Sequence, residues 1–189
     1  MQQLINSVKV LLVLTFLTGV IYPFTMTLIA QVIFPYQANG SMMKVNGNII
    51  GSELIGQNFS DESYFKGRPS MAGTGGYDAS NSGASNLGPT SKKLMEMAQE
   101  NINSLKTENK QQDTNVPSDL VLNSGSGLDP HISSEGAYFQ AIRIAGNRGI
   151  SVDEVERLID NNIENRQFGL LGEPRINVVK LNVELDKLR

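Results

Sequence analysis

Cysteine and tryptophan are absent from this 189-residue chain, histidine occurs once, at His131, and aromatic residues make up only 6% of it. Without cysteine there is no disulfide framework, no thiolate nucleophile and no lipidated leader, and a single histidine rules out the histidine pairs that hold catalytic zinc. Charge is also missing from a long stretch: after Lys9 no Asp, Glu, Lys or Arg occurs until Lys44. The part beyond that stretch holds 15 of the 16 basic residues and all 19 acidic ones, a net charge of −4. Such a mild acidic excess argues against nucleic acid as a partner, which calls for a basic patch.

What fills the uncharged stretch is apolar. Residues 10–34 form a run which, as a continuous helix, would extend roughly 37 Å, enough to cross a hydrocarbon core of about 30 Å with some tilt. A cleaved secretory signal would be shorter and would end in a small-x-small site, but Leu28 stands where the residue paired with Ala30 should be small. A buried soluble helix would show one polar face, and none is present here. The positive-inside bias places the amino terminus and Lys9 in the cytoplasm. The sequence therefore predicts a cytoplasmic stub over 1–9, a transmembrane helix over 10–34 and an extracytoplasmic domain over 35–189, in the cell (inner) membrane. With no tryptophan, Tyr22, Phe34 and Tyr36 are the interfacial aromatics.

Within the span Thr15, Thr18, Gly19 and Tyr22 fall at helical spacings of three and four and share one stripe, with Thr15 and Gly19 as a small-xxx-small pair. Such a stripe suits close packing against another helix. Pro23 lacks an amide hydrogen and predicts a bend one turn later.

The outer part reads as α+β, with no repeat of 20 to 50 residues. Asn46-Gly47 between Met43, Val45, Ile49 and Ile50 predicts a hairpin with a type I′ turn. Leu54, Ile55, Phe59, Tyr64 and Phe65 are core candidates, and residues 71–89 are a Gly- and Ser-rich loop. A helix follows Pro89, capped by Thr90 or Ser91, with Leu94, Ala98, Ile102 and Leu105 on one stripe. After a linker at 111–118, residues 120–122 read as a short strand. A second helix over 134–147 turns Ala137, Tyr138, Ile142 and Ala145 inward and stops near Gly149. Ser151 and Glu154 form a capping box for a third, whose buried face is Val155, Leu158, Ile159 and Ile163. The alternating tail from Ile176 predicts a strand to about Leu181 before a helical end.

Catalytic chemistry finds little support. Asp129 and His131 share one short loop with Ser126 and Ser133 nearby, but residues so close in sequence seldom meet as a triad. The segment 83–90 has the glycine spacing of a phosphate-binding loop, yet Pro89 stands in place of the lysine.

Four strings are more specific than any of these patterns: GSELIGQNF at 51–59, YFKGRPS at 64–70, SGASNLGPTS at 82–91 and SGSGLDPHIS at 124–133. In this order behind one N-terminal span, and with GEPRINVVKLNVELD at 172–186, they resemble the KdpC family, the C subunit of the Kdp-type potassium-transporting ATPase. That resemblance implies a non-catalytic accessory subunit of a high-affinity, ATP-driven potassium import complex, stabilising its assembly. Its partners would be a channel-like potassium-binding subunit, a P-type ATPase subunit and the surrounding membrane lipid. The alternative that the family carries is a catalytic chaperone raising the ATP affinity of the ATPase subunit. An outer domain conflicts with direct contact to cytoplasmic ATP, so no cofactor is expected on this chain itself and ATP belongs to the complex. The motif residues that carry over are Gln57, Gly67, Arg68 and Pro69, then Asn86, Leu87, Gly88 and Pro89, and finally Gly127, Leu128, Asp129, Pro130 and His131. They suit either loop packing or a surface facing the potassium-binding subunit.

Overall fold

The computed structural model describes residues 1–188, which form two compact units divided between Ser52 and Glu53. In the first, the apolar run is helical from its start: α1 spans Gln2–Phe16 and α2 spans Tyr22–Ile33, joined through a π-helical turn at Leu17–Ile21. The helix thus takes in most of the stub expected to precede it. Within these 32 residues an 18-residue window reaches a mean hydropathy of 2.1, and none of the 32 is buried. The π turn is the response to Pro23, which cannot donate a hydrogen bond to the preceding turn and crowds its carbonyl. Widening the turn lets the Tyr22 amide donate to the Leu17 carbonyl instead. The Thr18 hydroxyl donates to the Leu14 carbonyl at 2.7 Å.

A short helix α3, Pro35–Ala38, leads to the hairpin of β1, Met42–Val45, and β2, Asn48–Ser52. The turn is the expected one: Asn46 and Gly47 both have positive φ, 51° and 81°, the left-handed pair that a type I′ turn requires.

The second unit is α+β. After a long irregular segment come α4 (Lys92–Glu108), α5 (Ser118–Val121), β3 (His131–Ile132), α6 (Ser134–Arg148), α7 (Val152–Asn161), β4 (Ile163–Glu164), β5 (Arg175–Asn177) and α8 (Val178–Leu185). β5 is the centre of a small antiparallel sheet, pairing Ile176 with Ile132 on one side and Ile163 on the other. The core is formed by Ile132 and Ile176 from the sheet, Ala137, Ala141 and Ile144 from α6, Val155 and Ile159 from α7, Leu181 and Leu185 from α8, and Phe65.

Several expectations fail for local reasons. Residues 120–122 are not a strand, because Pro117 opens the helical turn α5, which buries Leu120 and Val121. Tyr138 and Ile142 face outward, with Ile142 54% exposed, since α6 buries Gln140 and Arg143 beside Ala141 and Ile144. Ile163 belongs to β4 rather than α7, and Leu54 is exposed. The tail strand ends at Asn177, whose side-chain oxygen accepts from the Val179 and Lys180 amides at 3.1 Å each. That cap starts α8, and Val178, Leu181 and Leu185 then meet the core at helical spacing. By contrast Ser151 and Glu154 form both halves of their capping box, while Ser91 stands at the N-cap position of α4, the expected start, without a side-chain capping hydrogen bond.

Candidate functional site

Residues 53–70 have no regular structure, so their buried backbone groups require side-chain partners. Two carboxamides supply them. Asn182 on α8 accepts from the Phe65 amide and donates to the Phe65 carbonyl, both at 2.9 Å. Gln140 on α6 does the same for Lys66, at 2.8 and 3.1 Å. The Arg143 guanidinium donates to the carbonyls of Glu62 and Tyr64, to Gln140 Oε1 at 2.7 Å and to Asn109 Oδ1 at 3.0 Å. Burial lowers the Arg143 pKa, against the opposing pull of Glu108, Glu62 and Asp61. Next to this lattice, Lys66 pairs with Glu108 at 2.8 Å.

This anchoring positions Gly67, Arg68 and Pro69 against the loop 123–131. Arg68 pairs with Asp129 at 3.3 Å and donates to the carbonyls of Leu122 and Asn123. Ser70 donates to the Gly127 carbonyl at 2.6 Å while accepting from the Tyr77 amide at 2.7 Å, and the Tyr77 hydroxyl donates to the Arg68 carbonyl at 2.6 Å. Burial, with Asp129 nearby, pushes the Tyr77 phenol up to about 12, so it stays a donor at neutral pH. The Gly83 amide donates to the Ser126 carbonyl at 2.9 Å, and the Gly56 amide beside Gln57 donates to the Leu128 carbonyl at 2.8 Å. Gly127 is a tight point of this clasp: its φ is +67°, and a Cβ there would stand 2.5 Å from the Gly83 carbonyl oxygen.

From Asp129 a seam of charges runs onward. Its carboxylate accepts from the His131 amide at 3.0 Å and lies 3.1 Å from the ring Nδ1. Burial alone would raise the Asp129 pKa; the His131 hydrogen bonds and the charges of His131 and Arg68 outweigh it and hold the carboxyl below its ordinary value. His131 Nε2 lies 3.9 Å from Glu164, which pairs with Arg175 at 3.3 Å and Lys180 at 3.4 Å, and Lys180 reaches Glu53 at 3.0 Å. Burial opposes the charge on Lys180, but its hydrogen bond to Glu53 and the charges of Glu164 and Glu53 raise its pKa overall.

The structure therefore brings together the motif residues Gly67–Pro69 and Gly127–His131, with Gln57 at the edge. Of the remaining motif residues, Asn86 and Leu87 line a cleft of about 300 Å³ with Leu94 and residues 122–125, at the start of the same loop. A larger cleft of about 500 Å³ is lined by Gln57, Lys66, Arg68, Tyr77, Ser104 and Glu108, among others. Neither serine near His131 is placed as a nucleophile. Ser133 donates to Asp119 and caps α6 through the Gly136 amide, and Ser126 accepts from the Leu128 amide. Among the described residues no group of three or more His, Cys, Asp or Glu side chains is placed to hold a metal ion.

Sequence reasoning missed Tyr77, Asn182, Gln140, Glu164 and Lys180. Tyr77 carried one signal, as the lone aromatic in the Gly-rich loop; Asn182 and Gln140 lie 117 and 74 positions from the backbone groups they hold, and only folding joins them.

The comparisons with known proteins agree on one family. The family described as KdpC, K+-transporting ATPase, c chain, matches residues 4–187. A "Potassium-transporting ATPase KdpC subunit" of Rhodospirillum rubrum is 52% identical over 174 residues, 92% of this chain and 90% of the relative. Proteins of the same name from Methylococcus capsulatus and Nitratidesulfovibrio vulgaris are 49% and 48% identical, each over 97% of this chain and 96% and 93% of their own lengths. Continuous from the apolar helix to α8, this similarity shows that the chain belongs to the KdpC family, the c chain of the K+-transporting ATPase.

Proposed function

We propose that the chain acts as the non-catalytic accessory subunit of an ATP-driven potassium import complex. It is anchored by residues 2–33 with its N-terminus in the cytoplasm, and its second unit lies outside. There it stabilises assembly and the potassium-binding subunit, next to the P-type ATPase subunit. The observation that carries this reading is the 32-residue apolar helix with no buried residue, in a chain whose relatives are named as subunits of the transporter. Nothing among the described residues covers that helix, so lipid and neighbouring helices must. Thr15, Thr18 and Gly19 form its close-packing face. The motif residues around Arg68 and Asp129 serve as an internal clasp: their hydrogen bonds point to one another's backbones and hold the outer domain in shape.

Copurification tests the proposal. In detergent, the tagged chain should bring down the other subunits and potassium-stimulated ATPase activity, and Gly19→Leu should weaken that recovery several-fold. Recovery of no other subunit would overturn it. ATP titration of the complex, and of the purified chain alone, tests the remaining role. A chain that bound an ATP analogue selectively over inorganic phosphate would replace this reading with the nucleotide-affinity one.

A further inference from the structure

The most outward apolar feature of the second unit is the connection between β4 and β5. Phe168 is 92% exposed, Leu170 80% and Leu171 60%. Three large apolar side chains presented together at one turn are unlike the scattered exposed residues that any surface carries. The turn is built rather than loose. Gln167 and Leu171 exchange both backbone hydrogen bonds at 2.9 Å, the Gly169 amide donates to the Arg166 carbonyl at 3.1 Å, and Arg166 pairs with Glu173 at 2.5 Å across the base. Phe168 itself has φ +55°, a left-handed conformation uncommon for a bulky residue, followed by Gly169 at +74°. Strain of this kind at an exposed tip points to a part shaped for contact.

We propose that the tip formed by Phe168, Leu170 and Leu171 is a docking plug that inserts into an apolar pocket on another protein subunit of the same transporter. This rests on the accessory-subunit reading above. Two observations favour a protein pocket over a lipid surface. The tip lacks an uncommitted cationic collar: Arg166 is paired with Glu173, and Arg175 with Glu164 at 3.3 Å, so the charge that draws loops to anionic headgroups is already balanced. Its backbone is also fixed in one shape, which lowers the ordering cost of entering a complementary pocket and offers nothing in fluid lipid. An aromatic anchor flanked by two aliphatic groups is the composition of an interface centre.

Because the chain has no cysteine, Phe168→Cys introduces a single thiol. It is compared in the full complex and in the purified full-length chain, using a water-soluble maleimide for accessibility and a benzophenone maleimide for photocrosslinking. The plug predicts maleimide labelling at least tenfold slower in the complex than in the isolated chain, and a crosslink to another subunit. Equal labelling rates, or a lipid adduct without a protein crosslink, would overturn it. In parallel, Phe168→Ser/Leu170→Ser/Leu171→Ser should lower recovery of the complex at least fivefold while leaving the melting temperature of the isolated chain within about 2 °C. Unchanged recovery would refute the plug. Failure of the wild-type chain to copurify with any subunit would instead refute the accessory-subunit reading itself.

Discussion

Replacing Asn182 with leucine tests whether the irregular segment 53–70 is held by side chains rather than by apolar contacts alone. Asn182 is 2% exposed and satisfies both backbone groups of the fully buried Phe65. Leucine is of comparable size, so packing is largely kept while one buried donor and one buried acceptor lose their partners. Each unsatisfied group costs about 1–3 kcal/mol, and the added apolar burial returns about 1–2 kcal/mol of that sum. A net loss of about 2–4 kcal/mol results, which lowers the melting temperature of a unit this size by about 6–15 °C. Asn182→Asp keeps the acceptor for the Phe65 amide but removes the donor and buries a charge, so it should fall at least as far. Thermal circular dichroism of the detergent-solubilised chain, against the exposed control Asn165→Leu, measures both. A shift for Asn182→Leu within about 2 °C of that control would refute the reasoning.

Gly127→Ala must strain a positive φ and push Cβ to 2.5 Å from a carbonyl oxygen; it should cost more than about 2 kcal/mol by denaturant unfolding, the typical cost of such a conflict being above that of an ordinary Gly→Ala change. Asp129 ionises more readily in the folded state than its ordinary value, so its stabilisation is present above the unfolded pKa of about 3.9 and is lost as pH falls through the lower folded value. Wild type should therefore melt above Asp129→Asn at neutral pH, and the gap should close on acidification below that range. Ser151→Ala removes one half of the capping box and should lower stability by about 1 kcal/mol, read as a few degrees in melting temperature.

What was legible in the sequence is what local chemistry decides. The apolar helix, the Asn46-Gly47 turn, the Ser151 capping box and the stop at Gly149 each depend on residues within a few positions of one another, and the structure has all four. The tail misled because Val178, Val179 and Val183 favour strand locally, whereas Asn177 caps a helix whose apolar side the core selects. Around the clasp, the strings with Arg68 and Asp129 could be picked out, but their pairing could not, since 61 positions separate them. Gln140 and Asn182 were invisible as partners because a buried carboxamide looks like any surface amide until its backbone partner is known. Asn109 shows the same limit: a polar residue at the end of α4, it is buried against Arg143.

The most direct test of the central claim is the side of the membrane on which the second unit lies. Asn103→Cys, Asn115→Cys and Asp153→Cys each place one thiol at an exposed position on a different part of that unit, in a chain with no other cysteine. Treating intact cells that express the whole transporter with a membrane-impermeant maleimide should label all three without opening the cells. Protection of all three until the membrane is permeabilised would place the unit in the cytoplasm and contradict the account.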